Sequence, residues 1–153
     1  MLIRKAELQD AETVYVLMCE LEEQVLLQSE FIRIFSSLLK LPEHFLLIGE
    51  IDGRAAAFLH LRVEEQLHHA AKIAESLEFD VAQAYRGKQL GQQFFAHAKK
   101  LACENGCQQL ELSSNRLREK AHSFYERQGM HKFNYKFTLP LTGSAVSENK
   151  LGI

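Results

Sequence analysis

Apolar positions recur at two periods along this chain, and the switches between them mark out its elements. The set Val14, Leu17, Met18, Leu21 and Val25 follows helical spacing from about Gln9, and the short run Leu2 to Ala6 before it reads as a strand. A second helix is predicted from about Ser29, a residue type suited to an N-cap, to Leu39, with Pro42 closing it. Two apolar runs, Phe45 to Ile51 and Arg54 to Val63, flank Asp52-Gly53, a dipeptide that favours a tight hairpin turn. A more polar connection from Glu64 to Ala71 then leads into a fourth strand, Lys72 to Ala82.

Helical period returns at Gln92 to Glu104. Leu90, Phe94, Ala98 and Leu101 are the residues to bury, and Gly106 suits the position just past the helix end. Gln109 to Ser113 reads as the next strand, Glu119 to Gln128 as a helix capped by Gly129, and Met130 to Leu139 as a last strand. Hairpins interrupted by crossover helices predict an α/β fold of the α+β kind, with a mixed, mostly antiparallel central sheet flanked by helices. Beyond Pro140 the chain turns to Thr, Gly, Ser, Glu, Asn and Lys, so 141–153 is expected to be a mobile tail.

Composition adds bounds. A length of 153 residues suits one domain, expected over 1–140. A net charge of −2 gives no electrostatic case for nucleic acid or an anionic membrane as partner. No apolar run is long enough to span a bilayer, and the N-terminus, with Arg4, Lys5, Glu7 and Asp10, lacks a secretory core, so a cytoplasmic location is expected. Three cysteines make no disulfide framework. Cys103 and Cys107 straddle the helix stop Asn105-Gly106, which suits buried structural thiols better than a metal pair.

Candidate chemistry centres on Arg86-Gly87-Lys88-Gln89-Leu90-Gly91, between a β-rich run and a helix. Glycines let main-chain N–H groups approach a ligand, and the first turn of the helix offers unpaired N–H groups and a positive dipole end to an anion. Neither a P-loop nor a dinucleotide fingerprint is spelled here. A phosphate cradle and a plain strand-to-helix turn both stand on spacing alone.

The stretch resembles the GNAT superfamily of N-acetyltransferases, whose signature at such a junction is Arg/Gln-x-x-Gly-x-Gly/Ala. The matching positions are Arg86, Gln89 and Gly91, with Gln89 where the family has its central glycine. Downstream, Glu111-Leu-Ser-Ser-Asn115 and Ala121-His-Ser-Phe-Tyr125-Glu-Arg-Gln-Gly129-Met130 look like the family's next strand, Asn and short helix. Within the superfamily, Val14-Tyr15, Cys19-Glu20-Leu21, Leu59-His60-Leu61, Leu67-His68-His69, Glu111-Leu112-Ser113, Asn115 and Ala121-His122 are similar to the aminoalkylphosphonate N-acetyltransferases.

The resemblance implies a GNAT-like fold and direct transfer of acetyl from acetyl-CoA to the primary amine of a small molecule. It implies that the pyrophosphate is held by main-chain amides from Arg86 through Gly87, Lys88, Gln89 and Leu90 to Gly91. The pantetheine arm would pair with Phe79-Asp80-Val81, with Asn115 and Ala121 completing the cofactor site. Tyr125 stands where the family commonly places its proton donor, and a phenol is a sensible match to a thiol leaving group; packing of the helix is the plainer role. Glu78 is the general-base candidate on the fourth strand, against a solvated carboxylate or a water chain. Regular alternation puts Glu78 on one face with Asp80, and Glu75 with Phe79 on the other.

For the acceptor, Glu20, His60, His68, His69 and Glu75 are the candidate contacts. Adjacent strand histidines point to opposite faces, so His68 and His69 are not expected to form a fixed metal site together, although a divalent ion stays an alternative to direct contact. A catalytically silent acyl-CoA-binding or regulatory module, and acetylation of protein N-termini or lysines, are the rival functions. Dimers are common in the superfamily, so the resemblance allows a homodimer.

Overall fold

The computed structural model describes residues 1–142, and most of the expected tail, 143–153, lies outside the described residues. The chain divides into two compact units, Met1–Leu112 and Ser113–Ile153.

The first unit is built on a five-stranded sheet in the order β1-β2-β3-β4-β5. β1 (Leu2–Lys5), β2 (His44–Ile51), β3 (Arg54–Gln66) and β4 (Ala71–Val81) pair antiparallel in sequence order, and β5 (Gln109–Leu112) lies parallel to β4. A parallel neighbour needs a crossover, which α3 (Leu90–Glu104) supplies. At the β2–β3 turn, Asp52 and Gly53 have φ of 50° and 74°, the left-handed pair that matches strand twist in a tight hairpin. The β3–β4 connection is shorter than the polar segment suggested, because the strands zip on to Gln66 and Ala71 and leave only 67–70 as turn.

Strand alternation sorts the core into two layers. Leu46, Ile48 and Phe58 pack with Val14, Leu17 and Met18 of α1 (Ala11–Glu22) and Phe35 of α2 (Gln28–Leu38). Leu47, Ala57, Leu59, Leu61 and Ala74 pack on the other face with Phe94, Ala98 and Ala102 of α3. Phe94 is fully buried, so removing its ring would cost about 3–5 kcal/mol.

Some element ends differ from expectation. The first helix stops at Glu22, where Glu23 turns left-handed with φ 54°, so Val25 lies beyond the stripe and is exposed. Ser29 does not cap the second helix, whose N-cap is Leu27. Cys103 is exposed and Cys19 and Cys107 are half-buried, so the cysteines are not the buried thiols expected.

The second unit holds α4 (Glu119–Arg127), closed at Gly129 with φ 88°. The strand expected over Met130–Leu139 does not form, and 130–141 has no helix or strand. Alternation of Phe133, Tyr135, Phe137 and Leu139 supplies the pattern of a strand but not a ladder. No strand pairing among the described residues includes this segment.

Candidate active site

β4 changes direction in the middle of its ladder. His60 lies opposite Glu78, yet the next rung joins Leu61 to Ser76, so Leu77 is an extra residue bulged out of the strand. The bulge resets the pleat. Glu75 opposite Arg62 and Glu78 opposite His60 therefore share a face, because Arg62 and His60 are alternate residues of β3. Asp80, opposite Phe58, lies on it too, whereas Phe79 contacts the rings of Phe94 and Phe95 on the α3 side. The expected pairing of Glu75 with Phe79 is thus corrected: all three carboxylates face the α1–α2 side.

These carboxylates meet a polar row on the neighbouring strands. His60 Nδ1 is 2.6 Å from Glu78 Oε2, and its Nε2 is 2.7 Å from His44 Nδ1 on β2. His60 is buried while the Glu78 side chain is 42% exposed, so the chain of contacts runs from the interior to an accessible carboxylate. Burial, followed by the neighbouring His60, pushes the His44 imidazole below its ordinary pKa. Arg62 Nη2 donates to Glu75 Oε2 at 2.7 Å and, more weakly, to Glu64 Oε1 at 3.4 Å.

Asp80 is 6% exposed, and burial pushes its carboxyl above the ordinary range, partly offset by Arg86. Its Oδ1 accepts from Arg86 Nη2 at 3.1 Å, and Oδ2 is buried with no hydrogen-bond partner. Glu20 on α1 adds to the upward shift. The other histidines lie outside the row: His68 and His69 sit in the β3–β4 turn with ring centroids 4.3 Å apart, and His69 Nε2 is 3.2 Å from Glu111 Oε1. Among the described residues there is no group of three or more His, Cys, Asp or Glu side chains able to hold a metal ion.

At the other end of β4, the ladder to β5 stops at Ser76↔Leu112, while β4 runs on beside β3 to Val81. A short turn at Gln83–Tyr85 leads to the glycine stretch. Gly87 has φ 78° and Gln89 φ 59°, and α3 begins at Leu90. Gln89 thus takes the left-handed conformation that glycine adopts freely, at a cost of about 1–2 kcal/mol. The backbone keeps the shape expected of a glycine at this position. Arg86 is spent locally: its N–H bonds Gln83 O, its Nε donates to Val81 O at 2.7 Å and its Nη2 reaches Asp80. Lys88 Nζ lies 5.8 Å over the Tyr85 ring. The helix start leaves first-turn N–H groups for an anion, which fits a phosphate-bearing ligand.

In the second unit, Asn115 Oδ1 accepts from Leu117 N at 2.9 Å and Asn115 O accepts from Arg118 N, a local turn that leads into α4. His122 Nε2 lies 2.9 Å from the same Asn115 carbonyl. Ala121 and Tyr125 lie on α4, and the Phe124 and Tyr125 rings meet edge-on with centroids 5.4 Å apart.

His44 is the residue the sequence reading missed. It begins β2 and gives no signal alone; only its partner across the ladder, His60, marks it.

Residues 8–130 match the acetyltransferase (GNAT) family. The chain is 33% identical over 139 residues to the aminoalkylphosphonate N-acetyltransferase of Salmonella typhimurium strain LT2, covering 91% of this chain and 90% of that protein. It shares its fold with a transcriptional regulator from Bacillus halodurans C-125, with TM-score 0.84, 21% identity and coverage of 92% and 99% of the two chains. It shares its fold as well with glucosamine-6-phosphate N-acetyltransferase from Arabidopsis thaliana, with TM-score 0.76, 23% identity and coverage of 92% and 98%. No helix among the described residues is long and apolar enough to cross a membrane. The bulged β4, its glycine turn onto α3 and these likenesses agree: the chain belongs to the acetyltransferase (GNAT) family and is an acetyl-CoA-dependent N-acetyltransferase.

Proposed function

We propose that the acceptor is the primary amine of a small molecule, with an aminoalkylphosphonate as first choice, and that Glu78 is the general base. The observation that carries the base assignment is the accessible Glu78 carboxylate, turned by the Leu77 bulge onto the polar face and held by His60. The amine of the acceptor gives its ammonium proton to Glu78, and its nitrogen attacks the thioester carbonyl. A C–N bond forms, the C–S bond breaks, the departing thiolate takes a proton from Tyr125, and the second proton lost by the acylated nitrogen restores the phenol, so the products are the amide, the free thiol and a protonated Glu78 that returns its proton to solvent. For the co-substrate, the main-chain amides from Arg86 to Gly91 are assigned to the pyrophosphate, although the Arg86 N–H is already turned to Gln83 O, and Phe79-Asp80-Val81 to the pantetheine arm, with Asn115 and Ala121 as further candidate contacts.

The phosphonate reading draws on the Salmonella relative, which is named for that substrate class. Glu78 or Glu20 supplies negative charge for an amine, and Arg62, which Glu75 holds at 2.7 Å, is a cation on the same face of the sheet as Glu78. An enzyme built around a charged head rejects an analogue that lacks it, because the recognising groups would be left buried and unpaired. Thiol release with aminoethylphosphonate and ethylamine, with and without divalent metal, tests this. A preference in kcat/KM on the order of a hundredfold or more for the phosphonate is expected. Equal values, or a preference for peptides, discard the substrate and keep the enzyme class.

A further inference from the structure

His44 and His60 cannot hold their protons independently. An ionised Glu78 accepts only, so at 2.6 Å a neutral His60 carries its proton on Nδ1 and points a bare Nε2 at His44. His44 Nδ1, 2.7 Å away, must then be the donor, which leaves its own Nε2 bare. His44 also lines a surface cavity of about 200 Å³ with Lys5, Lys40, Leu41 and Pro42, so this imidazole has a route to water that buried His60 lacks.

We infer that His44 is a positioning residue for Glu78: it fixes His60 as the Nδ1–H tautomer that orients the carboxylate, and through its own protonation it sets when Glu78 can act. This rests on Glu78 being the base. Adding one proton at His44 Nε2 lets its Nδ1 proton pass to His60 Nε2, and Glu78 then faces an imidazolium. The carboxylate is still ionised, but the adjacent cation lowers its affinity for the ammonium proton of the acceptor. Loss of the proton from His44 Nε2 reverses both steps.

The surrounding charges pull in both directions. Arg62, opposite His44 on β3, disfavours a protonated His44, while Glu43 beside it and Glu78 favour one. Lys5 and Lys40 line the cavity, and Glu75 and Glu64 take up the Arg62 charge. Burial is the largest influence and holds His44 neutral, the state the base needs.

The test compares His44→Ala, His44→Asn and Glu78→Gln in the full chain. Asn keeps an N–H near the place of Nδ1 but cannot take a proton. His44→Ala should lower kcat about tenfold to a hundredfold with acetyl-CoA affinity unchanged, since a misplaced base loses rate rather than cofactor. His44→Asn should recover most of that rate and weaken the acid limb of the pH profile. Nitrogen NMR of the wild-type imidazoles should show His60 as Nδ1–H at neutral pH, a measurement independent of turnover and of whether the alanine variant folds. His60 found as Nε2–H overturns the inference. Wild-type rates and pH profiles in both His44 variants, with Glu78→Gln inactive, overturn it while leaving the base in place. A fully active Glu78→Gln removes the base and the role of His44 together.

Discussion

Glu75 and Glu78 face the same side of β4 although they are three positions apart, a spacing that regular alternation puts on opposite faces, because the Leu77 bulge adds a residue between their rungs. Glu75 is thereby tied to Arg62 at 2.7 Å and Glu78 to His60 at 2.6 Å. One carboxylate is paired with a permanent cation, and the other with an imidazole that holds it by a hydrogen bond. That difference suits Glu78 to exchange protons and Glu75 to hold the row in place.

Replacing Glu78 with Gln keeps the shape and removes the acceptor. If Glu78 is the base, kcat falls by about 10²–10⁴ while acetyl-CoA affinity measured by calorimetry is unchanged. A loss confined to KM would make Glu78 a binding residue instead.

Gln89 is strained where glycine would not be. Gln89→Gly should remove a penalty of about 1–2 kcal/mol, partly offset by the greater unfolded-chain entropy of glycine, leaving the variant at least as stable to denaturant and its acetyl-CoA affinity equal or tighter. Weaker cofactor binding would show that the Gln89 side chain itself contacts the ligand.

Bulk and negative charge at Gly91, the second residue of α3, oppose an anion at the helix start. Gly91→Glu should abolish acetyl-CoA binding in a variant that keeps the wild-type circular dichroism spectrum. Unchanged affinity in that folded variant would move the pyrophosphate elsewhere.

Tyr125→Phe isolates the phenol. As the proton donor to the thiolate, its loss should reduce kcat by roughly 10²-fold or more and leave cofactor affinity within a few-fold. Retained activity returns Tyr125 to packing beside Phe124.

Asp10 governs acid stability. Arg4 holds it at 2.8 and 2.9 Å, and the Glu7 N–H donates to it at 2.8 Å. The Arg4 guanidinium keeps its carboxyl below the ordinary carboxylate pKa. A depressed folded pKa gives stability that is present above the unfolded value, near pH 4, and lost as pH falls through the folded one. Asp10→Asn should therefore cost about 1–3 kcal/mol at neutral pH, with the gap to wild type closing in acid, as read by urea unfolding at several pH values.

Periodicity alone placed β1 to β5, α1, α3 and α4 within a few residues, because each buries a face whose spacing is written locally in Val14, Leu17 and Met18 or in Phe94 and Ala98. The hairpin at Asp52-Gly53 and the turn at Gly87 were legible for the same reason: their backbone angles are a property of the residues that occupy them. What the tertiary structure decided was pairing. The strand pattern at 130–139 needed a ladder that local sequence cannot supply, and the bulge at Leu77 depends on how β3 and β4 register, which no residue in β4 announces. That register brought Glu78 beside His60, and His60 beside His44, sixteen residues away in sequence. Side-chain chemistry is fixed by residue type, but the two hydrogen bonds that link these three groups exist only once two separate strand pairings bring their nitrogen and oxygen atoms within reach.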